Sequence, residues 1–110
     1  MINETIRKIE ERLRQAESIK GENKAELLTL LATLRAEVSE LARTDADRAR
    51  SIAGLTAAST DQVTRKSRNP ESIHLSLTEL ASSVDGFEQS HPKLVQAVNS
   101  ICTTLSNLGI

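Results

Sequence analysis

Residues 87–110 read FEQSHPKLVQAVNSICTTLSNLGI, and after Lys93 no side chain in this stretch carries a charge. Leu94, Val98, Ile101, Leu105 and Leu108 recur at spacings of 4-3-4-3, which places them on one face of a helix. Val95 and Cys102 broaden that face. A helix this uncharged does not lie on a solvated surface, so it is expected to be a core helix or a contact surface. Pro92 fits the first helical position, and it disfavours helical geometry at His91, so the preceding helix should close there.

The same spacing recurs toward the N-terminus. Ile73, Leu77, Leu80, Val84 and Phe87 mark a helix over residues 70–89, with Asn69 as N-cap and Pro70 as its first residue. The segment TRKSRN at 64–69 is a polar break. Leu27, Leu31, Leu34, Val38 and Leu41 mark a helix beginning after Asn23, with Glu26 completing a capping box. Ile2, Ile6, Ile9, Leu13 and Ala16 mark a first helix over 3–20, with Asn3 as its N-cap and Gly21 as its stop. Beyond Leu41 no Gly or Pro intervenes before Gly54, and the phase continues through Asp45, Arg48, Ile52 and Leu55. One continuous or kinked helix over 24–66, about 65 Å long, is therefore preferred to a break near 44 capped by Thr44 and Asp47.

These patterns predict an all-α fold: an antiparallel helical bundle of four or five helices with coiled-coil-like packing, residues 1–110 forming one domain. The apolar set is almost wholly aliphatic, with one Phe and neither Trp nor Tyr. Net charge is −1, from 14 basic and 15 acidic residues, which gives no long-range field to attract nucleic acid or anionic lipid. Residues 1–50 carry ten of each sign, so the first half reads as solvated and the second as buried or adhesive. The single cysteine, Cys102, excludes an internal disulfide and fits a reducing compartment. No run approaches the roughly 18 apolar residues of a membrane span, and the start lacks the apolar core of a secretion signal. A cytoplasmic protein is expected.

The C-terminal residues also carry a resemblance. Phe87-Glu88, Ser90-His91-Pro92, Leu94 and the ending Asn107-Leu108-Gly109-Ile110 resemble a family of small bacterial helical proteins known only as a domain of unknown function. Ser51-Ile52-Ala53-Gly54-Leu55 is similar to a stretch in its longer members. The likeness covers the last 40 or so residues best and reaches the first helices only by pattern. It implies a bacterial source and a helical fold, and it supplies no catalytic residue, cofactor or activity to carry over. Gly109 reads as the residue just past the last helix.

Candidate sites are few. Glu88 and His91 lie three residues apart and would suit acid–base chemistry, but Phe87, Glu88, His91 and Pro92 are better explained as a hairpin corner. His74, His91 and Cys102 are not spaced as metal ligands, and the four glycines are isolated rather than grouped in a phosphate-binding loop. Arg65, Lys66 and Arg68 form the densest basic cluster, without aromatic residues for base stacking. Ile52, Leu55, Val98, Ile101, Leu105 and Leu108 are the candidates for core or interface. The expected function is a structural or protein-interaction module that self-associates, not an enzyme and without cofactor. Its expected partner is a second copy or another protein. The alternative is a nucleic-acid-associated regulator using residues 65–68.

Overall fold

The computed structural model describes residues 2–17 and 19–109, so Met1, Ser18 and Ile110, the last residue of the C-terminal string, lie outside the described residues. Five helices follow one another: α1 (Ile2–Gln15), α2 (Gly21–Leu41), α3 (Ala46–Thr64), α4 (Pro70–Ser82) and α5 (Pro92–Gly109). There is no strand among the described residues. The fold is an all-α bundle, as the stripes predict. Ile6, Ile9 and Leu13 of α1 are buried, as are Leu27, Leu31, Leu34, Val38 and Leu41 of α2. Ile73, Leu77 and Leu80 of α4 and Leu94, Val98, Ile101 and Leu105 of α5 join them in one core.

The preferred long helix over 24–66 is not formed. The chain turns at residues 42–45, and the Asp45 carboxylate accepts the Arg48 N–H at 3.1 Å to start α3. The cap is Asp45 rather than Thr44. An unbroken stripe would have carried Asp45 and Arg48 into the core, where an unpaired charge is costly. The turn rotates the phase instead, and α3 buries Ala49, Ile52, Ala53, Thr56, Ser59, Thr60 and Val63. Leu55 is left half-buried.

Other boundaries differ as well. α1 ends at Gln15 rather than near 20, and Asn3 lies inside it, accepting the Ser39 hydroxyl at 2.8 Å. Gly21 begins α2 rather than ending α1, and Asn23 and Glu26 lie within α2, so no capping box forms there. The cause is tertiary. The Lys24 ammonium reaches back to donate to the Ala16 carbonyl at 2.7 Å and the Arg14 carbonyl at 3.2 Å, satisfying the end of α1 from the next helix. α4 stops at Ser82 rather than 89, because the chain turns through Gly86 at a φ of 94°, a conformation that L side chains rarely adopt. Its start is as expected: the Asn69 side chain accepts the Glu71 and Ser72 N–H groups ahead of Pro70. Gly109 belongs to α5 instead of following it.

Cross-helix bonds give the directions. Asn3 meets Ser39, Glu10 meets Arg35 and Ala16 meets Lys24, so α1 and α2 run antiparallel. α3 packs on α1, α2, α4 and α5 and is the central element. Its buried side is made largely of Ala, Ser and Thr, and small side chains let four neighbours approach one helix. The radius of gyration is 12.9 Å, matching the roughly 13 Å expected of a close-packed chain of this length.

Candidate functional site

The α4–α5 corner is built around the single Phe. The Phe87 ring stands edge-on to the His91 ring, with centroids 5.6 Å apart and planes at 75°. The Arg48 guanidinium of α3 lies 4.7 Å from the Phe87 ring centre and donates to the Ser83 and Asp85 carbonyls at 3.4 and 3.3 Å. It thus ties the central helix to the turn by cation–π attraction and hydrogen bonds. The Glu88 carboxylate accepts the Gly86 N–H at 2.8 Å. The His91 carbonyl accepts the first bond of α5, from Val95 at 3.2 Å, immediately ahead of Pro92. Phe87, Glu88, His91 and Pro92 are therefore together, and each has a role in the turn. Glu88 is directed at backbone rather than at the imidazole.

Two of the three residues of the basic cluster, Arg65 and Arg68, are engaged within the chain, and Lys66 is exposed. The Arg65 guanidinium donates to the Asp61 carboxylate through Nε at 3.0 Å and Nη2 at 2.7 Å, and Arg12 of α1 binds the other oxygen of the same carboxylate. Arg68 donates to the Leu108 carbonyl at 2.7 Å, closing the end of α5. Cys102 is half-buried, and its thiol lies 3.7 Å from the Leu77 carbonyl. Burial pushes the thiol pKa up from 9.0 to about 11, which suppresses the thiolate and hence nucleophilicity.

Ile52, Val98, Ile101 and Leu105 are each no more than 1% exposed. They meet inside the chain, with Leu55 and Leu108 packed at the edge of the same core. α2, α3 and α4 pack on one side of α5, while its other side, with Gln96, Asn99, Ser100, Thr103 and Asn107, is exposed although uncharged, so the expectation that this helix avoids solvent holds for its apolar side alone.

Two outward features leave little trace in the sequence. Leu75, 59% exposed, is the one large hydrophobic residue left open among the described residues. It stands off the Ile73–Leu77 stripe, and that offset was its only sequence signal. The second is a shallow groove between α1 and α3, made of open depressions of about 390, 520 and 450 Å³ that share Lys8. Its floor includes Ala53, Gly54 and Ala57 and its walls carry Lys8, Arg12 and Arg50. A Cβ on Gly54 would meet nothing within 4 Å. Gly54 was visible as a lone glycine inside a helical pattern. Its openness follows from the parallel course of α1 and α3, which no local pattern reveals. No group of three or more His, Cys, Asp or Glu among the described residues is placed to hold a metal ion, and no described helix is long and apolar enough to cross a membrane.

A sequence profile of the family described as Domain of unknown function (DUF4404) matches residues 27–110, all but the start of α2 together with α3, α4 and α5. The chain belongs to the DUF4404 family. The match takes in the α4–α5 corner and the central helix, while α1 lies outside the matched stretch. No curated protein and no solved structure matches the chain.

Proposed function

We propose that this DUF4404 chain is a protein-interaction module that associates with further copies of itself, and that it is not an enzyme. The observation carrying the proposal is Leu75, an apolar side chain 59% exposed on a helix whose other large apolar residues are covered. The residues first considered for an interface do not support one, since Ile52, Val98, Ile101 and Leu105 are consumed by the internal core. The groups with reactive potential are engaged in holding backbone: Glu88 at Gly86, Arg68 at Leu108, and Cys102 beside Leu77. The free thiol suits a reducing compartment such as the cytoplasm. The nucleic-acid alternative has less support, because Arg65 and Arg68 already have partners. Light scattering on a size-exclusion column over a range of concentrations tests the proposal. A mass above 12.0 kDa that rises with concentration supports it, and a constant 12.0 kDa refutes it.

A further inference from the structure

We infer that two copies of the chain associate by exchanging α1, the α1–α2 hairpin of each opening into one continuous helix. The inference rests on the self-association proposed above and gives it a mode. α1 packs on α2 and α3 and touches neither α4 nor α5 among the described residues, so its departure leaves every other helix pair in place. The site it vacates is specific for it. Ile6, Ile9 and Leu13 are buried there. Ser39 of α2 donates to Asn3 at 2.8 Å, Arg35 of α2 donates to Glu10 at 3.1 Å, and Asp61 of α3 accepts from Arg12. The occupant that fits this surface is therefore shown by the chain itself. α1 of a second copy makes the same apolar and polar contacts, so the state of the connection decides which copy it serves.

That connection suits both states. Residues 16–20 separate α1 from α2, and none of them is Pro or Gly. Leu13 and Leu31, 18 residues apart, are five full turns apart at 3.6 residues per turn. A straight helix through the connection thus carries both apolar stripes on one face. Two such helices lie antiparallel about a twofold axis at their connections, α1 of each on α2 and α3 of the other, and the pair is closed. Position 21 separates the two states. In the hairpin, Lys20 is extended, with φ −66° and ψ 150°, and Gly21 is the first residue of α2, where an added Cβ meets nothing within 4 Å. In the straight helix, Gly21 is an interior residue. Proline at this position suits the hairpin, which already has an extended residue before a helix start, and it breaks the straight helix. Alanine favours the straight helix, since glycine is a poor interior residue.

The test combines the position of α1 with the state of the hinge. Cysteines are placed on α1 and α2 by Asn3→Cys and Ser39→Cys, with Cys102→Ser removing the native thiol, and the associated species is treated with a short bifunctional thiol reagent. Exchange predicts that the link joins two chains, giving twice the chain mass on a denaturing gel. In light scattering, Gly21→Pro should weaken association by about a hundredfold or more, and Gly21→Ala should strengthen it several-fold. Links confined to single chains within the associated species refute exchange while self-association stands. A Gly21→Pro chain that is folded by circular dichroism and associates as tightly as wild type refutes the straightened hinge. A wild-type chain that stays at 12.0 kDa at every concentration removes the underlying proposal as well.

Discussion

Glu10 is the one buried charged residue among the described residues, and its pairing makes an asymmetric prediction. Its side chain is 8% exposed on the inner side of α1, and it accepts the Arg35 guanidinium of α2 at 3.1 Å. Arg35 is 39% exposed, so water reaches one end of the pair and screens it. Removing Arg35 strands a carboxylate in the α1–α2 interface. Breaking a fully buried pair this way costs about 3–5 kcal/mol, and the partial exposure of Arg35 lowers the expectation to about 2 kcal/mol for Arg35→Ala. Removing Glu10 instead leaves a guanidinium that turns outward into water, so Glu10→Ala should cost under about 1 kcal/mol. The double variant should lie close to the Glu10 variant, since the stranded charge is gone, giving a coupling of about 1 kcal/mol or more. Urea unfolding followed by far-ultraviolet circular dichroism measures all three, the chain having neither Trp nor Tyr to report by fluorescence. Equal costs for the two single variants, or simple additivity in the double, would refute the assignment of Glu10 as a buried, Arg35-compensated charge.

Leu105 is fully buried, so Leu105→Ala should cost about 2–5 kcal/mol in the same unfolding experiment, and a loss under about 1 kcal/mol would contradict its placement. The Ser59 hydroxyl is buried without a hydrogen-bond partner, so Ser59→Ala should stabilise by about 1 kcal/mol; a lower melting temperature would mean that the hydroxyl is satisfied. The Cys102 pKa, raised by burial, favours the neutral thiol in the folded chain. The corresponding stability is fully present below pH 9.0 and is lost as pH rises through about 11. Stability that falls less steeply over that range in Cys102→Ser, with slow alkylation of wild type at neutral pH, is expected. A thiol that is alkylated as fast as a free one at neutral pH would contradict the burial.

The helices were legible because each apolar face repeats at the period at which it is buried, and the N-cap role of Asn69 was legible because it is local. The break at 42–45 ranked second to a continuous helix because it uses neither Gly nor Pro. Its sequence signal was electrostatic: Asp45 and Arg48 occupied stripe positions that an unbroken helix would have buried. The cap roles read for Asn3, Asn23 and Glu26 failed for a different reason. Side chains distant in sequence supplied the partners, Ser39 for Asn3 and Lys24 for the end of α1. Likewise, a helix without charge after Lys93 is equally consistent with a core helix and an interface helix. Only the placement of α2, α3 and α4 around it decides, and that placement is not a property of residues 92–109.

α1 and α5 share a trait with a dynamic consequence. Each takes a side-chain hydrogen bond on its last carbonyls from another segment: Lys24 of α2 at the end of α1, beside the Ala16-to-Leu13 backbone bond, and Arg68 of the α3–α4 connection at Leu108 of α5. Fraying at these ends is therefore not a local event. The last turn of α1 loses the two Lys24 bonds when the start of α2 moves away, and the last turn of α5 is similarly tied to Arg68. Amide hydrogen exchange at those two turns becomes a remote reporter of the segments that hold them, so a perturbation at Lys24 or Arg68 registers on a helix to which it does not belong.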